Sequence, residues 1–207
     1  MKSAAAVSLA LSLSSPAYAG GPTLVGDEPA PSATPAPASH DWSGAYVGLT
    51  LGSVSGDLTT SPIPGVYDVT SGTYTALHAG YLFQRGRAVF GAELSYGTAD
   101  SAGIEGVATS EFQKILDLKA RIGFATNNML IYGLVGRSKV FLYDNPTNTF
   151  DMQGTSYGLG AELVLSERLT VGAEYVTRDV SGTASSLSFL KADTTFDTLS
   201  LRASLTF

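Results

Sequence analysis

Residues 114–125 read Lys114-Ile115-Leu116-Asp117-Leu118-Lys119-Ala120-Arg121-Ile122-Gly123-Phe124-Ala125. Every second position from Leu116 to Phe124 is apolar, and Asp117, Lys119, Arg121 and Gly123 stand between them. Period two means a strand with two unlike faces. The face that holds the charges decides the fold. In a soluble barrel the apolar face would fill the interior. The inverted arrangement, apolar outward and charged inward, is that of a membrane barrel. A slip of one residue would turn Lys119 and Arg121 to lipid. Each such cation costs about 2–4 kcal/mol at mid-bilayer, against a typical net stability of about 5–15 kcal/mol. The charges therefore hold the register.

The same alternation recurs near residues 43–55, 71–84, 88–98, 112–125, 129–142, 153–165, 168–180 and 195–207. Tight turns are read at 84–87, 125–128 and 166–167, and long loops at 56–70, 98–111, 143–152 and 181–194. Short connections on one side and long ones on the other mark an outer membrane barrel. The sequence predicts an all-β fold, an eight-stranded antiparallel up-and-down transmembrane β-barrel over residues 42–207. Its termini would lie on the periplasmic side.

The outward face is assigned Leu77, Ala79, Tyr81 and Phe83, then Phe90, Ala92, Leu94 and Tyr96, then Leu116 to Phe124. Leu130, Tyr132 and Leu134 follow, with Tyr157, Leu159, Ala161 and Leu163, then Leu169, Val171, Ala173 and Tyr175. Lys114 and Asp197 share this parity near loop ends, where headgroups or water can reach them. Tyr81, Phe83, Phe90, Phe124 and Tyr132 gather toward the short turns, and Tyr96, Phe112, Tyr157 and Tyr175 toward the long loops. Two aromatic belts at the two interfaces are expected.

The inward face collects Glu93, Asp117, Lys119, Arg121, Arg137, Lys139, Glu162, Glu174, Arg178 and Arg202. These charges are expected to pair into a lumenal network that plugs the barrel, with Asp117 opposite Arg137, Glu93 beside Lys119 and Arg121, and Glu174 near Arg202. An eight-stranded barrel is just wide enough for side chains to fill. Gly44, Gly48 and Gly52 leave space along one wall, the feature that keeps a small diffusion channel as an alternative.

Outside the barrel, Lys2, the apolar run Ala4–Leu13 and Ala17-Tyr18-Ala19 read as a signal peptide over residues 1–19. Residues 20–41 form a Pro/Ala-rich linker holding five of the nine prolines, expected to be extended in the periplasm.

Composition agrees. Charged residues are 14% of the 207, and Gly contributes 23; a soluble surface wants about 25–35% charge. The net charge of −6 argues against nucleic acid. Absence of cysteine removes disulfides, thiolate zinc sites and cysteine nucleophiles. With two histidines, His40 and His78, no catalytic set, metal site or cofactor site is assigned. A lipid-modifying enzyme would need a base beside a nucleophile, and two residues beyond His78 stands Gly80 rather than serine.

Trp42-x-Gly44-x-Tyr46-x-Gly48, Gly80-Tyr81, Phe90-Gly91-x-Glu93 and Arg121-x-Gly123-Phe124 occur in that order. Tyr132-Gly133-x-x-Gly136, Gly158-x-Gly160-x-Glu162, Glu174-Tyr175 and the final Phe207 follow. On these motifs the chain resembles the outer membrane immunogenic protein or porin-like family of small OmpA-type eight-stranded barrels of Gram-negative envelopes. The resemblance implies insertion by the barrel assembly machinery, reading a final strand with Leu199, Leu201, Ala203, Leu205 and Phe207. It also implies a surface antigen in the outer membrane. The expected partners are outer membrane lipids, lipopolysaccharide and host or surface ligands at the four long loops. The expected role is non-enzymatic, structural or surface-interacting.

Overall fold

The computed structural model describes residues 40–61, 65–100, 103–104, 107–145, 148–184 and 191–207. The signal peptide and all of the linker but its last two residues lie outside these. Among the described residues the elements are β1 (Gly44–Ser61), β2 (Gly65–Arg85), β3 (Ala88–Asp100), β4 (Gly103–Ile104), β5 (Val107–Ala125), β6 (Met129–Asn145), β7 (Asn148–Val164), β8 (Leu169–Ala184) and β9 (Lys191–Thr206). Each long strand pairs antiparallel with its neighbours in the order β1-β2-β3-β5-β6-β7-β8-β9, and β9 returns to β1. Closure leaves no long edge unpaired. The two-residue β4 bridges β2 and β5.

The turn Gly86-Arg87 joins β2 to β3, with Gly86 at φ 63°, where a side chain would be strained. At the β5–β6 turn the Thr126 amide donates to the Met129 carbonyl at 2.7 Å. The opposite connections differ from the sequence expectation. Much of what reads as long loop is paired strand, and β1 and β2 stay paired, through a bulge between Val54 and Gly56, out to Thr60↔Gly65. A membrane crossing needs only about 9–11 residues, whereas β1 has 18 and β2 has 21. Beyond the apolar band both faces can be polar, so alternation vanishes while backbone pairing continues.

On β2, β3, β5, β7, β8 and β9 the outward side chains are those the alternation assigns, and through the central band they are uncharged. On β6 the parity is reversed. Leu130, Tyr132 and Leu134 are buried inside, whereas Ile131 and Val135 face out. Arg137 is consequently exposed on the outer wall, and Lys139 beside it faces the same way. The sequence assignments on this strand are corrected: Arg137 and Lys139 are not lumenal, Leu130 and Leu134 face inward, and Tyr132 belongs to no outer belt. The cause is local. Leu130, Ile131, Leu134 and Val135 make both parities of β6 apolar, so pattern alone does not choose between them. The inward choice seats the Tyr132 ring over Gly160, its cross-strand partner, where a Cβ would collide with the ring.

Candidate functional site

From the short-turn end inward, the barrel is filled in layers. The floor is apolar: Trp42, Tyr46, Leu82, Val89, Leu130 and Tyr132 are among its buried cluster. Residues 40–43 carry the chain across this end. The His40 amide donates to the Asn127 carbonyl at 3.0 Å, in the β5–β6 turn on the far side of the barrel from β1. The Trp42 amide then donates to Gln84 Oε1 at 2.8 Å, and Trp42 is 3% exposed. Asp41 accepts from the Ser43 amide at 2.9 Å, which holds its carboxyl below the usual range, and burial lowers His40. Pattern reading takes Trp42 as a strand start and misses that it closes the floor.

Above the floor sits the charge network. Glu93 from β3 is its hub. Its carboxylate takes the Tyr46 hydroxyl at 2.8 Å, Lys119 Nζ at 3.0 Å, Arg121 at 3.2 Å, and Arg202. Lys119 also reaches Glu174 at 2.7 Å, and Arg202 reaches the same carboxylate at 2.5 Å. Arg121 Nη2 donates to Glu162 at 2.5 Å, with its guanidinium 3.7 Å from the Tyr132 ring centre. The Tyr132 hydroxyl donates to Glu174 at 2.8 Å. Arg202 Nε lies 3.2 Å from Glu162 Oε1, out of hydrogen-bond alignment. All six charged groups are buried.

A second pair stands toward the long-hairpin end. Arg178 grips Asp117 in two-pronged fashion, Nε to Oδ1 at 3.1 Å and Nη2 to Oδ2 at 2.6 Å. Ser138 donates to the same carboxylate at 2.6 Å, and Arg178 donates to Thr198 at 2.9 Å. Asp117 therefore faces Ser138 across the β5–β6 register, not Arg137, and its cation comes from β8. Beyond this pair Val54, Ile115, Val140, Met152, Val180 and Phe196 are buried.

The electrostatics follow from burial. An ion out of water costs several kcal/mol, which only good geometry with an opposite charge offsets. Among the described residues the lumen holds four buried carboxylates (Glu93, Asp117, Glu162, Glu174) and four buried cations (Lys119, Arg121, Arg178, Arg202), which balance to zero. Strands β3, β5, β7, β8 and β9 each contribute, so the network ties non-adjacent staves together. Among the described residues, buried apolar side chains lie on either side of these charges, and every one of the eight is buried. Along the glycine wall the His78 ring occupies the space a Cβ at Gly48 would take, and Ser200 that at Gly52.

His78 bridges Thr50 Oγ1 and Ser204 Oγ, each at 2.9 Å. A histidine beside a serine is the arrangement of a base and nucleophile, and reading two residues along the chain does not find it. Here both are buried, and the group on Nδ1 is a threonine hydroxyl rather than a carboxylate. The contacts satisfy three buried polar side chains.

On the outer wall, Tyr81, Phe83, Phe90 and Phe124 cluster near the short turns. Tyr81 and Phe83 ring centres are 4.6 Å apart, and Phe83 stacks on Phe90 at 5.8 Å. Tyr96, Tyr157 and Tyr175 face out nearer the other end; the Phe112 side chain lies outside the described residues. Leu199, Leu201, Ala203, Leu205 and Phe207 form the exposed face at the end of the chain.

A family model described as outer membrane protein beta-barrel domain matches residues 30–207. The structure is similar to that of Neisserial surface protein A (NspA), with TM-score 0.47 and 16% identity over 80% of this chain and 98% of that one. It is also similar to the outer membrane protein OprG from Pseudomonas aeruginosa, with TM-score 0.47 and 16% identity over 82% and 99%. A third similar structure is Ail, the attachment invasion locus protein of Yersinia pestis, with TM-score 0.40 and 16% identity over 77% and 99%. No curated protein matches the chain.

Proposed function

We propose, from the premise that this chain belongs to the outer membrane protein beta-barrel domain family and resides in the outer membrane, that it is a plugged, non-enzymatic barrel of the cell envelope. Its role is structural or surface-interacting and is carried by the extended hairpins. The observation that carries this reading is the lumen. Eight buried charges neutralise one another between apolar layers, which favours a rigid stave-to-stave brace over a conduit. The histidine–serine pair is enclosed in the same way, which favours a non-catalytic barrel. What remains available to partners is the outside: the hairpins and the wall.

In this reading the short turns and both termini are periplasmic and the hairpins face the exterior. The chain has no cysteine, so single cysteines report sidedness cleanly. Ser71→Cys lies on the exposed polar stretch of β2 toward the hairpin end, and Glu167→Cys lies in the β7–β8 turn. A membrane-impermeant maleimide is expected to label Ser71→Cys in intact cells and Glu167→Cys only after lysis. The reverse pattern would overturn the exterior placement of the hairpins.

A further inference from the structure

The reversed parity of β6 leaves a feature that neither the plug nor the fold requires. Lys114 on β5, with Arg137 and Lys139 on β6, faces outward on the wall of the barrel. The register sets them side by side: Arg137 opposes Leu118, Lys139 opposes Leu116 and Lys114 opposes Phe141. Three cations thus alternate with Leu116, Leu118 and Phe141 on two adjacent strands, and Lys139 Nζ lies 4.7 Å from the Phe141 ring centre.

The charge balance of the patch is positive. Asp151 on β7 stands 3.7 Å from Lys139 and offsets one cation. Asp179 on β8 lies across Thr155 from Arg137, one strand further round. Asp197 on β9 is already engaged, accepting the Thr177 hydroxyl at 2.6 Å. Asp151 therefore borders the patch, as the cross-strand partner of Phe141, and Lys114 and Arg137 leave it a net positive charge.

Depth makes the patch informative. Tyr96, Leu116 and Lys139 are successive cross-strand partners on β3, β5 and β6. Tyr157 opposes Val135, two residues before Arg137 on the same strand. The cations thus sit with the outward tyrosines, at the height where rings meet headgroups. Cations on a lipid-facing wall are costly at the midplane and tolerated near the interface. There they meet the anionic groups of the lipid. Arg binds phosphate through two parallel N–H donors and Lys as a point charge, while Leu116, Leu118 and Phe141 offer apolar surface to acyl chains.

We propose that Lys114, Arg137 and Lys139 form a docking site on the outer wall of β5 and β6 for the phosphates of a phosphorylated acyl glycolipid, the lipid A portion of lipopolysaccharide. The site rests on the reading above that the hairpins face the exterior. It does not depend on whether the lumen is closed.

The test uses the folded full chain in detergent, with native mass spectrometry of retained lipid. Three probes are offered: bisphosphorylated lipid A, the same lipid dephosphorylated, and phosphatidylglycerol. Wild type is expected to retain bisphosphorylated lipid A in preference to both others. The variant K114Q/R137Q/K139Q, checked for folding by its heat-modifiable gel mobility, is expected to bind it about tenfold more weakly through loss of charge-assisted contacts. Arg85→Gln with Arg87→Gln, at the short-turn end, should bind as wild type does. Equal retention by the triple variant, or equal retention of either other lipid by wild type, overturns the site. The cysteine labelling separates this failure from a failure of orientation.

Discussion

Glu93→Gln is expected to lower the unfolding free energy of the barrel by about 3–5 kcal/mol, the usual cost of breaking a buried ion pair from one side. The side chain keeps its volume, so no cavity is created and the effect isolates charge. Glu93 touches Lys119, Arg121 and Arg202 and accepts the Tyr46 hydroxyl. Its neutralisation leaves four buried cations facing three buried carboxylates among the described residues. Urea unfolding in lipid vesicles, followed by tryptophan emission, measures the loss. The chain has one tryptophan, Trp42, buried in the floor, so the signal reports the barrel itself. Arg85→Ala, at the exposed end of β2, should change stability by no more than about 0.5 kcal/mol. Adding Lys119→Met to Glu93→Gln should cost less than the two single changes summed, because the pair is coupled. A Glu93→Gln barrel as stable as wild type would mean that the network contributes nothing to holding the staves.

Leu201→Arg probes the other face. Leu201 is 68% exposed on β9, flanked by Leu51 on β1 and Ala173 on β8. On a water-exposed wall the change would fall within about 0.5 kcal/mol. On a lipid-facing wall near the bilayer centre it should cost about 2–4 kcal/mol. Replacing Ser71, on the polar stretch of β2, with Arg should cost about 0–1 kcal/mol, as expected near or beyond the interface. The gradient between the two positions, read from urea midpoints in the same vesicles, maps the bilayer onto the strands. Equal costs at both depths would contradict the membrane placement of the central band.

How much of this is legible in the sequence depends on which residues carry the signal. On β5 the alternation of Leu116, Leu118, Ala120 and Ile122 with Asp117, Lys119 and Arg121 fixes both strand and facing, because charge appears at only one parity. On β6 it does not, since residues 130–135 are apolar at both parities. The β5–β6 register and the seat for the Tyr132 ring at Gly160 then decide. That reversal moves Arg137 from the lumen to the wall. Pairings within the lumen are less legible still. Arg202 meets Glu93 across 109 residues, and the two strands are not neighbours. Only closure of the barrel brings them together, and no local pattern encodes it. The His78–Ser204 contact, 126 residues apart, is hidden for the same reason. Trp42 is legible as part of a motif, but its place in the floor depends on the His40–Asn127 contact across the barrel mouth.

The measurement that tests the central claim most directly is single-channel conductance of the folded barrel in a planar bilayer. With Glu93, Asp117, Glu162 and Glu174 each buried against cations between apolar layers, wild type is predicted to be electrically silent when its heat-modifiable mobility shows that it is folded. Reproducible current steps from folded wild-type protein, changed in size by Asp117→Ala, would contradict the account by making the charged lumen a conducting path.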